Sequence, residues 1–270
     1  MLFSGLGLHT GEQCTLTLAS AKTEGLCFVI KSHPVFCLKP ELAEGQPKGT
    51  VIHSPNGDLT TVEHVLSACA GTGHWNVTIK MSACEPPIMD GSALPFVDLL
   101  AGIPKNSVEP FVLKFPVAVQ EKDSFIVALP VQTPRLPVSQ SPSQLSRIRY
   151  YASYPHTGDL YYDFDGTAES YLRDIAPART FCMDYEIDIQ RKAGLIKGAT
   201  PDCGIVFSPD GPSLPLRFPD EPVRHKILDL IGDLAILGRP LQAEIVAVKT
   251  SHRLNIAFAK KLAETLKNQT

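Results

Sequence analysis

The stretch Arg224-His225-Lys226-Ile227-Leu228-Asp229-Leu230-Ile231-Gly232-Asp233 constrains this chain more than any other. Ile227, Leu230, Ile231 and Leu234 recur at helical spacing, which predicts a helix with one apolar stripe. His225 and Asp229 are four residues apart, so their side chains leave one face a turn apart. An imidazole and a carboxylate so placed can share one divalent ion, and zinc accepts both ligand types. Asp233 extends the stripe by a further turn. Taken alone, the pattern fits a solvated face with an i,i+4 His–Asp contact equally well.

At 270 residues the chain is long enough for one large domain or two ordinary ones. Hydrophobic residues make up 44% and charged residues 20%, which excludes global disorder. A formal net charge of −3 makes nucleic acid an unexpected partner, and an anionic substrate would need local basic residues. The seven cysteines are scattered and show no CxxC spacing. Neither a disulfide framework nor a thiolate zinc site is expected, and a reducing cytoplasm is the simpler setting. No apolar run reaches transmembrane length. Met1-Leu2-Phe3-Ser4-Gly5 has neither the basic region nor the apolar core of a signal peptide. Nothing signals an obligate interface, so a monomer is expected.

The order of predicted elements repeats. In the first half, Cys14, Leu16 and Leu18 alternate with threonines, Leu26 to Ile30 is a short apolar run, a helix follows from about Thr60 to Gly71, Asn76 to Met81 alternates as a strand, and Ser92 to Ala101 reads as a second helix. In the second half, Val117 to Val119, Phe125 to Val131 and Ile148 to Tyr154 read as strands. The His225 helix, a strand from Ala243 to Val248 and a helix from about Leu254 to Leu266 follow. The pattern predicts an α+β protein of two similar two-layer α/β sandwich domains, 1–104 and 110–270, divided near Pro104-Lys105-Asn106-Ser107; an active site that draws residues from both halves would lie at their interface. Residues 132–146, rich in Pro, Ser and Gln, read as a surface loop.

A metal site needs more than two ligands, and the chain offers eight histidines. His64 follows Glu63 in Thr60-Thr61-Val62-Glu63-His64, where either threonine is placed to cap the helix. Glu63 could equally be a favourable charge at a helix N-terminus. If His64 joins His225 and Asp229, two imidazoles and one carboxylate leave a coordination position open, as catalytic zinc sites do. Glu63 would then stand where a general base is needed. His252 follows the strand Ile245 to Val248, a position that suits a cleft-facing residue or an ordinary loop histidine.

Seven stretches, in this order, resemble the zinc-dependent UDP-3-O-acyl-N-acetylglucosamine deacetylases of lipid A biosynthesis. They are Gly5-Leu6-Gly7-Leu8-His9-Thr10-Gly11, Thr61-Val62-Glu63-His64, Pro87-Ile88-Met89-Asp90-Gly91-Ser92, Ala178-Arg179-Thr180-Phe181, Gly194 to Asp202, Arg224 to Asp233, and Lys249 to His252. The resemblance implies His64, His225 and Asp229 as metal ligands, for zinc or ferrous iron. It implies Glu63 as general base, His252 as the cation that protonates the leaving amine, Asp233 as the residue orienting His252, and Thr180 as an oxyanion donor. Lys226 is implied as a contact to the nucleotide diphosphate and Phe181 as a substrate-contacting aromatic. A βαβ insert near 190–205, including Leu195 and Ile196, would form an apolar passage for the acyl chain. The implied substrate is a small UDP-linked acylated amino sugar. The resemblance departs in the short lead before the Gly-Leu-His-Thr-Gly motif, in 33–58, and at Cys182, where the family commonly has glycine. A noncatalytic lipid or nucleotide-sugar binder would be expected to lose a ligand or proton carrier, and none is lost. A zinc peptidase of the HExxH type is excluded, since that motif is absent.

Overall fold

Two sheets of five strands carry the molecule, and a computed structural model describes residues 2–105, 108–131 and 145–268 of it. The first half runs β1 (Phe3–Leu6), β2 (Gln13–Ser20), β3 (Leu26–Ile30), β4 (Phe36–Cys37), β5 (Ala43–Gln46), β6 (Gly49–Ile52), β7 (Leu59–Thr60), α1 (Glu63–Gly71), β8 (Val77–Met81) and α2 (Leu94–Leu100). The second half runs β9 (Phe111–Val112), β10 (Val117–Glu121), β11 (Ser124–Leu129), β12 (Arg147–Tyr154), β13 (Gly158–Phe164), α3 (Ala168–Ser170), β14 (Phe181–Met183), α4 (Asp184–Lys192), β15 (Ile205–Ser208), β16 (Gly211–Pro212), α5 (Glu221–Leu234), β17 (Leu241–Gln242), β18 (Glu244–Val248) and α6 (His252–Lys267).

The sheet orders are β1-β2-β8-β3-β4 and β10-β11-β18-β12-β13, the same topology twice. In each, an outer hairpin pairs antiparallel with the last strand, which runs parallel to its other neighbour. Alternation explains the faces: Cys14 and Leu16 of β2, Val77 and Ile79 of β8, Ile148 and Tyr150 of β12, and Ile245 and Ala247 of β18 are all buried. The helices that flank the two last strands form a shared layer, with α1 against α5, α2 against α1 and α6 against α5. One continuous apolar core includes residues of both halves. At the α1–α5 crossing a Cβ on Gly232 would collide with the Glu63 carbonyl, so only glycine lets the two backbones approach this closely.

Several expectations change. The α5 face is not solvated: His225 is 3%, Asp229 4% and Asp233 0% exposed, because α1 and α6 cover it. α1 begins at Glu63, and neither threonine caps it; Thr60 ends β7, and Thr61 takes a left-handed φ of 55° and points its hydroxyl at Glu85. His252 is not a loop residue after a strand but the first residue of α6, whose N-cap hydroxyl, Ser251, accepts from the Leu254 amide. The βαβ unit is β14-α4-β15, with β14 and β15 parallel, so it spans 181–208 and the stretch 193–204 is its return connection. Cys27 and Cys37 form a disulfide, where no disulfide framework was expected, so cysteine usage no longer argues for a reducing compartment. Antiparallel pairing of β3 with β4 sets these two residues opposite each other, an adjacency that spacing along the chain does not show. The other five cysteines are free. Most of the Pro-, Ser- and Gln-rich stretch, 132–144, lies outside the described residues. Among the described residues no helix is long and apolar enough to cross a membrane.

Candidate metal centre

α1 and α5 bring one ligand set together from distant parts of the chain. Single ligand atoms of His64, His225 and Asp229 lie within 4.8 Å of one another, and all three residues are buried. His225 Nε2 stands 3.3 Å and His64 Nε2 3.9 Å from the Asp229 Oδ1 atom. The two imidazoles meet edge to face at 5.1 Å. His225 Nδ1 donates to the Ala178 carbonyl at 3.0 Å; a carbonyl can only accept, so the proton sits on Nδ1 and the Nε2 lone pair is left for a cation. Lys226 Nζ donates to the other Asp229 oxygen, Oδ2, at 2.7 Å.

Burial and charge tune these groups in opposite directions. Desolvation pushes His64 down to about 3, aided by His225, and lowers His225 as well, so both imidazoles are neutral near pH 7. Burial would raise the Asp229 carboxyl, but Lys226 and the surrounding histidines outweigh it and hold it well below the usual range. Burial raises Glu63 to about 7, His252 opposing and the Asp233 and Asp229 carboxylates adding to the rise. Burial would lower His252, yet Asp233 and Asp229 lift it to about 9. A carboxyl near 7 thus stands beside an imidazolium that persists past neutrality, the separation that general acid–base chemistry requires.

Asp233 gathers three donors. Its Oδ2 accepts from His252 Nδ1 at 2.9 Å and from Asn255 Nδ2 at 2.8 Å, and its Oδ1 accepts from Thr50 Oγ1 at 2.6 Å. The Thr50 amide donates to Glu63 Oε2 at 3.1 Å, so one residue of β6 touches both the Glu63 carboxylate and Asp233. His252 Nε2 is 3.8 Å from Asp229 Oδ2.

Thr180 and Phe181 reach the same cleft from β14 and the segment before it, and Lys226 lines it as well. The Thr180 amide donates to the Gly91 carbonyl at 2.8 Å. Arg179 lies beneath them, its Nε 2.8 Å from Glu221 Oε1 in a buried ion pair. Phe181 packs edge-on against Tyr154 at 5.1 Å and His225 at 6.2 Å. The cleft encloses about 220 Å³ and adjoins an apolar cavity of about 320 Å³ between the βαβ unit and the loop holding His9. Ile196 lines that cavity; Leu195 is not among its lining residues.

Sequence reasoning missed four residues: Thr50, Asn255, Glu85 and Glu221. Thr50 falls in the poorly matching stretch 33–58, and Asn255 sits one helical turn beyond His252, the one signal that could have marked it. Glu85 is buried, and its carboxylate accepts from the His9 amide at 2.9 Å, the Thr10 amide at 2.8 Å, Thr10 Oγ1 at 2.7 Å and Thr61 Oγ1 at 2.8 Å. It thereby ties the Gly-Leu-His-Thr-Gly loop to the turn that launches α1.

Two neutral imidazoles and an ionised carboxylate, with one imidazole tautomer fixed by a carbonyl, make a donor set that fits a borderline divalent cation. The sequence model of the UDP-3-O-acyl N-acetylglycosamine deacetylase family matches residues 1–264. A UDP-3-O-acyl-N-acetylglucosamine deacetylase of Chlamydia caviae is 38% identical over 98% of this chain and 94% of its own length. One from Synechocystis is 34% identical over 97% of this chain and 95% of its own length, and one from Chlamydia trachomatis is 36% identical over 99% and 93%. With matching stretches running from the His9 loop to α6 and relatives aligned almost end to end, the chain belongs to the UDP-3-O-acyl-N-acetylglucosamine deacetylase family.

Proposed function

We propose that this chain is a cytoplasmic, metal-dependent amide hydrolase that removes the N-acetyl group of a UDP-3-O-acyl-N-acetylglucosamine and releases acetate, within lipid A biosynthesis. The convergence of His64, His225 and Asp229 between α1 and α5, with Glu63 and His252 in the walls of the same cleft, carries this reading. Zinc suits the ligand set, and ferrous iron is compatible with it. When bound, such an ion supplies Lewis acidity that brings the pKa of water to about 7 and polarises the amide carbonyl. The ligands come from residues 1–104 and 110–270, which we read as two domains with the site between them, acting as a monomer.

The chain's own residues do the rest. The Glu63 carboxylate takes the proton of the attacking water as a new C–O bond forms at the acetyl carbon. The carbonyl oxygen gains charge, and the Thr180 hydroxyl and the His252 imidazolium face it. When the C–N bond breaks, His252 gives its proton to the amine nitrogen. Asp233, satisfied by Thr50 and Asn255, keeps the imidazole aligned and charged. Lys226 neutralises Asp229 and presents a cation to the diphosphate side of the cleft. Phe181 walls the sugar site, and the apolar cavity behind it takes the acyl chain, with Ile196 in its wall; each methylene buried there contributes about 0.8 kcal/mol.

The direct test is acetate release from UDP-3-O-acyl-N-acetylglucosamine by the purified protein, before and after chelation and with zinc or ferrous iron restored. Metal-dependent release is expected. Full turnover by protein shown to be metal-free by elemental analysis would overturn the reading.

A further inference from the structure

Lys48 occupies the turn between β5 and β6, and Glu186 lies in the first turn of α4. Lys48 Nζ donates to Glu186 Oε1 at 2.5 Å, an ion pair joining residues 138 positions apart. Both ends are anchored. The other oxygen of Glu186 accepts from the Met183 amide at 2.9 Å, closing the N-terminus of α4. The Lys48 carbonyl is met by His9 Nε2 at 3.1 Å, and the next residues turn onto Glu63, whose carboxylate takes the Thr50 amide.

The pair spans the place where the catalytic cleft opens into the apolar cavity. Leu8, Lys48, Thr180 and Phe181 line both spaces, and Lys48 is the only cation among the four. An ammonium has three donors, and Glu186 takes one. A substrate with its sugar in the cleft and its acyl chain in the cavity must leave the linkage between them at this junction. That linkage is an ester, whose carbonyl oxygen needs a donor once it is out of water.

The geometry points to Lys48 as the residue that hydrogen-bonds the acyl-ester carbonyl at this junction, with Glu186 holding its ammonium in place. Lys48 is then a determinant of specificity for an ester-linked chain, separate from the groups that move protons. The inference rests on the substrate class proposed above and leaves the chemistry of that reaction unchanged.

The experiment compares the 3-O-acyl ester with a 3-O-alkyl ether of equal chain length, which fills the cavity but lacks the carbonyl. Wild-type protein is expected to favour the ester about tenfold in kcat/KM, mostly through KM, the size of one hydrogen bond from a charged donor. Lys48→Met should lose about tenfold on the ester and change little on the ether, erasing the preference. Glu186→Gln keeps the helix cap and should reduce the preference in part; Lys48→Arg should retain it. Equal losses on both substrates in Lys48→Met, or an undiminished ester preference, would overturn the assignment. Should the wild type hydrolyse neither substrate, the proposed function fails first, so the two failures are distinct.

Discussion

Replacing Glu221 should damage both the stability of the chain and its grip on a cation. Glu221 opens α5 and is buried, and its carboxylate accepts from the Arg179 amide at 3.0 Å, Arg179 Nε at 2.8 Å, Arg179 Nη2 at 3.1 Å and the Arg217 amide at 2.7 Å. Glu221→Ala leaves the buried guanidinium without its counter-charge and two amides without acceptors. Removing one partner of a buried pair costs about 3–5 kcal/mol, which should appear as a lower urea midpoint at unchanged slope. Residue 179 stands between Ala178, whose carbonyl holds His225 Nδ1, and Thr180, so metal affinity should fall by roughly tenfold or more. pH supplies an independent sign. Burial would raise the Glu221 carboxyl, but the hydrogen bonds from Arg179 and Arg217 hold it below its usual value of 4.5. A carboxyl depressed by folding stabilises the native state above its unfolded pKa, and that contribution drains away as pH falls through the folded value. The gap between wild type and Glu221→Gln should therefore be constant near neutrality and narrow in acid below about pH 4.5. A Glu221→Ala protein with wild-type urea stability and wild-type metal affinity would refute the reasoning.

His225→Ala should lose bound metal by elemental analysis, with circular dichroism checking that the chain remains folded; full metal content in a folded variant would remove it from the ligand set. Glu63→Gln should retain the metal and lose about 10²–10⁴-fold in kcat, the span of a positioned proton transfer, and near-wild-type turnover would reject the base assignment. Thr50→Val removes the hydroxyl that satisfies Asp233 Oδ1 at 2.6 Å and should cost about 1–3 kcal/mol in urea unfolding; a neutral result would mean water replaces it. Thiol titration of the denatured, unreduced protein should find the five free cysteines, and a count of seven would contradict the Cys27–Cys37 link.

Much of the architecture was written in period alone. Alternation at 14–18, 76–81 and 243–248 and the helical stripe of 227–234 gave strands and helices of the right kind, and their order twice over matched two sheets of identical topology. Ends were less legible. Thr61 has the composition of a cap but is drawn into a left-handed turn by Glu85, a contact made across 24 residues. The helix of the βαβ unit was expected only from the resemblance and placed too far along the chain: α4 buries few positions, and Tyr185 and Ile189 face outward and blur the apolar stripe. The pairing of His225 with Asp229 was legible because their spacing fits one helix face, and His64 was singled out by its place beside Glu63; the three do converge. The residues that hold them, such as Thr50, Asn255 and Glu221, are ordinary polar types whose significance comes from tertiary neighbours that no local pattern encodes.

The β5–β6 hairpin gives Glu63 and Asp233 a common ruler. Thr50 touches Glu63 through its amide and Asp233 through its hydroxyl, and Gly45 on the partner strand presses against the His252 backbone so tightly that no side chain fits between. A shift of this ribbon along its strands would disturb the partners of Glu63, Asp233 and His252 together. An insertion or deletion in the hairpin should therefore disturb both contacts at once, whereas a change of side chain on its outer edge leaves them in place.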